Sequence, residues 1–175
     1  MVMTLNHQEK MINQLIDKMN LFDNDLMRLV LDDKECIHDV LKVILEKDIE
    51  IKEIYTQKEL VNLLRRSIEI DILVIDTQGQ FYNIEVQRER TGASPRRARY
   101  HASLMDVLMT KPNQKWKDIP DGTVIFITKE DYYREKDKKY VIEKKIEGHD
   151  KEFEDGQRIS MSMDLIMEKM SLEHS

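Results

Sequence analysis

Asp71, Glu85 and Gln87 interrupt the otherwise apolar segment IDILVIDTQGQFYNIEVQ, residues 70–87. Which face of a strand pair each occupies decides what they can do. DTQG, residues 76–79, has Asp at the first position of a turn and Gly at the fourth, the preference of a type I turn. The loop Thr77-Gln78-Gly79, with Gly in the left-handed region, predicts a G1-bulge hairpin. That loop pairs Asp76 with Gln80, Ile75 with Phe81, Leu73 with Asn83 and Asp71 with Glu85. The two carboxylates then face one another on one side, and Gln87 follows one step along. Ile70, Ile72, Val74, Tyr82, Ile84 and Val86 form the opposite, apolar face. A two-residue loop would put Asp71 and Glu85 on different faces.

Like charges directly opposite on a strand pair are destabilising. A cation between them, a nearby Arg or Lys, or a raised pKa on one carboxyl can offset that. A hard divalent ion such as Mg²⁺ takes oxygen ligands, often one or two carboxylates with water and substrate phosphate. An exposed acidic pair neutralised by surface arginines is the competing account.

QRERTGASPRRAR, residues 87–99, follows at once, with five arginines and one glutamate, a local balance of +4 in a chain whose formal charge is −6. Ser94-Pro95 reads as an N-cap followed by the first helical position and predicts a helix over about 95–110. Arg96, Arg97 and Arg99 fall in or beside its first turn, where the helix end already carries about half a positive charge. Stability alone would place acids there. Arginines beside free backbone N–H groups make an anion site, with phosphate the obvious anion. Tyr100 and Leu104 extend one side of this helix, and Tyr100 either stacks on a base or packs on its helix neighbours. Salt bridging to the chain's 34 acidic residues is the alternative for the arginines.

Around these residues the periodicity predicts helices over 5–20 and 33–46, the second with Cys36, Val40, Val43 and Ile44 on one side. Residues 49–55 alternate as a strand, and 70–76 and 80–87 are the hairpin. GTVIFIT, residues 122–128, is a continuous apolar run, read as a strand buried on both faces. Residues 129–155 are rich in charge, and KYVIEKKIE within them reads as an exterior strand. The order predicts one mixed α/β domain.

The 175 residues suit a single domain, and hydrophobic residues at 41% allow a core under a surface carrying 35% charged residues. The lone Cys36 excludes an intramolecular disulfide and fits a reducing compartment. No secretory signal or membrane-length apolar run is visible, so the expected location is cytoplasmic. The five histidines, His7, His38, His101, His149 and His174, lack paired ligand spacing for zinc. Cys36 reads as core, Trp116 as a loop anchor, and Asp106 as a solvated or supporting residue. Walker-type and serine-nucleophile motifs are absent.

IDILVID, a turn, YNIEVQ and then ASPRRARYHASLMD together resemble the PD-(D/E)XK nuclease superfamily. More narrowly they resemble its transposase-related, recombination-promoting nuclease family of bacteria. FDNDLMRLVLDDKECIHDVL upstream and DGTVIFITKEDYY downstream fit the same layout, and the likeness spans residues 22–160. The resemblance implies an α/β fold with a restriction-endonuclease-like core, a mixed β-sheet flanked by helices. It implies Mg²⁺-dependent cleavage of DNA, with Mn²⁺ as the alternative ion. By motif position Asp71, Glu85 and Gln87 would be the catalytic set. Asp71, Glu85 and the main-chain carbonyl of Val86 would hold the metal. Arg96, Arg97, Arg99 and Tyr100 would lie on the DNA side. Gln87 stands where the wider superfamily has lysine, so it can orient water or phosphate but supplies no charge.

On this reading residues 1–160 are the nuclease-like domain, its core about 22–147, and 161–175 a divergent, disordered tail. The sequence SMSMDLIMEKMSLEHS departs from the family's continuation in a way that a one-nucleotide frameshift near Ser160 would produce. Two rival readings remain at this level: a nucleic-acid-binding module without catalysis, and a protein-interaction remnant. A homodimer is left open as the assembly.

Overall fold

A computed structural model describes residues 33–61 and 67–163. Over these residues the protein is α/β. A six-stranded mixed sheet carries one α-helix on each face. The strands are β1 (Ile51–Val61), β2 (Ser67–Asp76), β3 (Phe81–Gln87), β4 (Gly122–Thr128), β5 (Lys139–Ile142) and β6 (Gln157–Met163). The helices are α1 (Lys34–Leu45) and α2 (Pro95–Met109). Strand order is β1-β2-β3-β4-β6-β5. The pairs β1/β2, β2/β3 and β5/β6 are antiparallel, and β3/β4 and β4/β6 are parallel. The predicted helix over 5–20 lies outside the described residues.

The β2–β3 turn follows from its residues. Gly79 N–H donates to Asp76 O (3.0 Å), Asp76 N–H to Gln80 O (3.0 Å), and Gly79 takes φ 83°. Asp76 Oδ1 accepts from the N–H groups of Gln78 and Gln80 at 2.9 Å each, as Asp side chains do at turn starts. The ladder then runs Ile75–Phe81, Val74–Tyr82, Leu73–Asn83 and Ile72–Ile84.

Helix α1 begins at Asp33, whose Oδ1 accepts from Glu35 N–H (2.7 Å) and Cys36 N–H (3.3 Å). Its buried stripe is Ile37, Val40, Leu41 and Ile44, the i, i+3, i+4, i+7 spacing of a helix lying on a core. This rotates the expected face: Cys36 and Val43 are only half-buried at its margin. The stripe packs on Ile72, Val74, Tyr82, Ile84 and Val86 from the hairpin and on Ile125 and Ile127 from β4. Ile70, expected on this face, joins Leu73, Phe81 and Met105 instead.

Helix α2 covers the other face. Ser94 caps it, Oγ accepting from Arg97 N–H at 3.3 Å, with Pro95 in the first turn. Ala98 and Ala102 pack with Val124, Phe126 and Met161, their small side chains letting the helix approach the sheet closely. β4 lies in the middle of the sheet, mostly buried, as its unbroken apolar run requires.

β5 is the exterior strand expected within KYVIEKKIE, and Val141 on it is 48% exposed. β6 corrects the domain boundary drawn after residue 160. Ser160, Met161 and Ser162 are buried and pair with β4 on one side and β5 on the other. The part of the supposed tail that is described, 161–163, is therefore strand; 164–175 lie outside the described residues. Among the described residues no helix is long and apolar enough to cross a membrane.

Candidate functional site

The observed ladder, continued one step past Ile72–Ile84, sets Asp71 opposite Glu85 as the turn predicts. Their carboxylates cross over. Val86 N–H donates to Asp71 Oδ2 at 2.8 Å, and Asp71 N–H donates to Glu85 Oε1 at 3.4 Å. Each acid thus holds the backbone at the other's strand. Glu85 is completely buried and Asp71 half-buried, which rules out the exposed acidic pair considered from sequence.

Two of the three ways of offsetting the repulsion are visible. Burial, and then the Glu85 charge, push the Asp71 carboxyl up to about 6 against the bond from Val86 N–H and the charge of Arg97. Arg97 supplies the counter-charge from the first turn of α2, its Nη2 standing 3.6 Å from Glu85 Oε2. That separation is an ion pair but too long for a hydrogen bond. Glu85 Oε2 is accordingly a buried oxygen without a hydrogen-bond partner.

Arg97 is fixed through its other nitrogens as well. Nη1–H donates to Gln87 Oε1 (3.2 Å) and Nε–H to His101 Nε2 (3.3 Å). Gly92, in the turn of 3₁₀ helix Arg90–Ala93, lies against Gln87. A Cβ there would stand 2.3 Å from Gln87 Oε1, so the absence of a side chain leaves room for the amide to meet Arg97.

Asp71 also opens onto a cleft of about 810 Å³ lined by Glu69, Ser94, Arg96, Arg97, Arg99 and Tyr100. Arg96 and Arg99 are exposed, and neither forms an ion pair among the described residues, contrary to wholesale salt bridging of the arginine cluster. No acid occupies the first turn of α2. The cleft therefore joins the Asp71 and Glu69 carboxylates to three guanidinium groups and a tyrosine.

Sequence reasoning brought together Asp71, Glu85, Gln87 and Arg97, with Arg96, Arg99 and Tyr100 alongside. For Val86, the side chain is buried on the α1 face while its N–H holds Asp71. It passed over Asn83 and His101. Both are fully buried on the carboxylate side, Asn83 Nδ2 3.0 Å from His101 Nδ1 and Glu85 Oε1 3.4 Å from the same nitrogen. A signal existed: Asn83 shares Glu85's side by strand alternation, and His101 stands four residues after Arg97 on one helix face. One other expectation fails: Trp116 is 86% exposed rather than packed. Asp106 lies apart from the site, half-exposed in a separate groove where its Oδ2 accepts from Gln157 Nε2 at 3.4 Å.

The donor set suits a hard cation. Two carboxylates share one side, and Glu85 Oε2 has unused acceptor capacity in a buried position. Among the described residues no group of three or more His, Cys, Asp or Glu side chains is arranged to hold a metal ion by itself. An ion here would thus complete its shell with main-chain carbonyl and water, which Mg²⁺ accepts and structural zinc does not. Compared with models of known protein families and with curated proteins, the chain finds no match.

Proposed function

We propose that the protein is a Mg²⁺-dependent DNA endonuclease with a restriction-endonuclease-like core, related to the transposase-type, recombination-promoting nucleases of the PD-(D/E)XK superfamily. One observation carries the reading: two carboxylates meet across a hairpin, Glu85 buried and Asp71 opening onto an arginine-lined cleft. Bound to Asp71, Glu85 and the Val86 carbonyl, Mg²⁺, or Mn²⁺ in its place, would supply activation of water and charge stabilisation at a phosphodiester. The chain's own residues do the rest. Arg96 and Arg99 attract and seat backbone phosphates at the start of α2, where free N–H groups add to their charge. Tyr100 offers a flat face at the wall of the cleft. Gln87, fixed by Arg97, orients a water or phosphate oxygen by hydrogen bonding, and Arg97 contributes the positive charge that Gln87 lacks.

The test is nicking of supercoiled plasmid by purified protein with Mg²⁺, beside Asp71→Ala and Glu85→Ala and an EDTA control. Both variants should lose more than the ~100-fold that groups merely supporting metal ligands carry, while keeping the parent's circular dichroism. Equal nicking by all three proteins would sink the assignment.

A second reading, nucleic-acid binding without cleavage, is favoured by one contact: Arg97 itself supplies a counter-charge to Glu85 at 3.6 Å. DNA binding that persists in EDTA, weakens with salt and is never accompanied by nicking would decide for it.

A further inference from the structure

His101 is a buried imidazole with one neighbour, Arg97, whose hydrogen-bonding role is fixed. Arg97 Nε can only donate, so His101 Nε2, 3.3 Å away, must accept and carries no proton. The ring proton then belongs on Nδ1. That nitrogen stands 3.4 Å from Glu85 Oε1 and 3.0 Å from the Asn83 amide. Asn83 Oδ1 is a buried oxygen with no partner. Turning the Asn83 amide by half a turn brings Oδ1 against Nδ1–H, so the orphaned oxygen gains a donor and the two facing N–H groups are separated.

The resulting chain has one direction. Asn83 on β3 accepts from Nδ1–H, Glu85 Oε1 lies 3.4 Å from the same nitrogen, and Nε2 accepts from Arg97. Arg97 in turn donates to Gln87 Oε1 and lies over Glu85 Oε2. Arg97 is partly exposed, its side chain at 41%, and a long side chain on a helix start has many rotamers to lose. Glu85 alone, at 3.6 Å, does not fix the plane of the guanidinium. His101 does, because an acceptor at Nε leaves the two Nη groups aimed at residues 85 and 87.

We propose that His101, with its proton on Nδ1, is a positioning residue that holds the Arg97 guanidinium between Glu85 and Gln87, and that Asn83 sets its tautomer. The catalytic consequence rests on the nuclease reading above; the tautomer and the Arg97 geometry do not.

The experiment compares the full chain with His101→Gln, whose amide oxygen can replace Nε2, and His101→Asn, whose shorter side chain reaches only the Nδ1 position. Long-range ¹H–¹⁵N spectra of the imidazoles, assigned by the peak each variant loses, should show His101 protonated at Nδ1 and bare at Nε2. The Arg97 Nε–H resonance should be protected from solvent exchange in the parent and in His101→Gln, and exchange-averaged in His101→Asn. In plasmid nicking, His101→Asn should lose about tenfold or more in kcat with KM little changed, as misplacement of a charged group does, and His101→Gln should recover most of it. A proton on Nε2, or equal Arg97 protection in both variants, overturns the proposal. If the spectra are as expected but the parent never nicks DNA, the positioning stands and the nuclease reading fails.

Discussion

The two faces of the β2–β3 hairpin are made by the same eighteen or so residues and solve opposite problems. Toward α1, Ile72, Val74, Tyr82, Ile84 and Val86 are buried against Ile37, Val40, Leu41 and Ile44, and almost every buried atom there is apolar. Toward α2, Leu73 and Phe81 give way along the strands to Asn83, Glu85 and Asp71, and the helix answers with Arg97 and His101. The first face gains roughly 1.5–3 kcal/mol for each large side chain buried. The second leaves Glu85 Oε2 buried without a hydrogen bond, at a cost of about 1–3 kcal/mol. One face stabilises the hairpin so that the other can hold groups that stability alone would reject.

The contrast breaks first under truncation of the apolar face. Ile84→Ala should lower stability in urea by about 2–5 kcal/mol, and at a denaturant concentration where it is still folded its nicking should match the parent's. An Ile84→Ala protein that stays stable but loses activity would mean that the two faces are not separable in this way.

The carboxylate face should respond oppositely. The Asp71 carboxyl is pushed up to about 6 in the folded protein from an ordinary 3.8. Between those values the folded state binds more protons than the unfolded one. In EDTA, stability should therefore be fullest below about pH 4 and decline as pH rises through 6. Asp71→Asn removes the titrating group, so its stability should be flatter over that window and should exceed the parent's at neutral pH, while nicking is lost. Thermal unfolding from acid to neutral pH checks both; a parent with no decline would show that Asp71 ionises without cost.

The smallest effect falls at Gly92. An added methyl meets the side chain of Gln87 rather than backbone, so Gly92→Ala should change stability by no more than about 1 kcal/mol. It should nonetheless displace Gln87 from Arg97 and slow nicking several-fold, about as much as Gln87→Ala does. A larger loss of stability than of activity would place Gly92 among the structural residues instead.

Much of this site was legible before any coordinates. Asp76 and Gly79 specify the turn, the turn specifies the register, and a register of period two assigns every residue from 70 to 87 to a face. The cap at Ser94 and the unbroken apolar run of 122–128 are local signals of the same kind, and each marks an element close to where the structure has it. Less was legible on α1. A helical stripe can be rotated by one residue without breaking its spacing, so Cys36 and Val43 looked as suitable as Ile37 and Leu41 until the sheet beneath selected one set. At residue 160 departure from the resembled family's continuation suggested a boundary, yet a strand between two neighbours is held by main-chain bonds, which Ser-Met-Ser-Met can make as well as any sequence.

The sequence by itself determined that Asp71 and Glu85 would face each other, because turn geometry and strand alternation are local and leave no freedom once Gly79 is left-handed. Only the tertiary structure decided what answers them. Arg97 and His101 reach Glu85 because α2 packs over β4, the strand beside β3, bringing residues twelve and sixteen positions away to the same carboxylate. That docking is set by Ala98, Ala102 and Met105 against Val124, Phe126, Leu73 and Phe81. Packing of small and large side chains fixes a helix at one height and rotation, and no periodicity within a single segment encodes it.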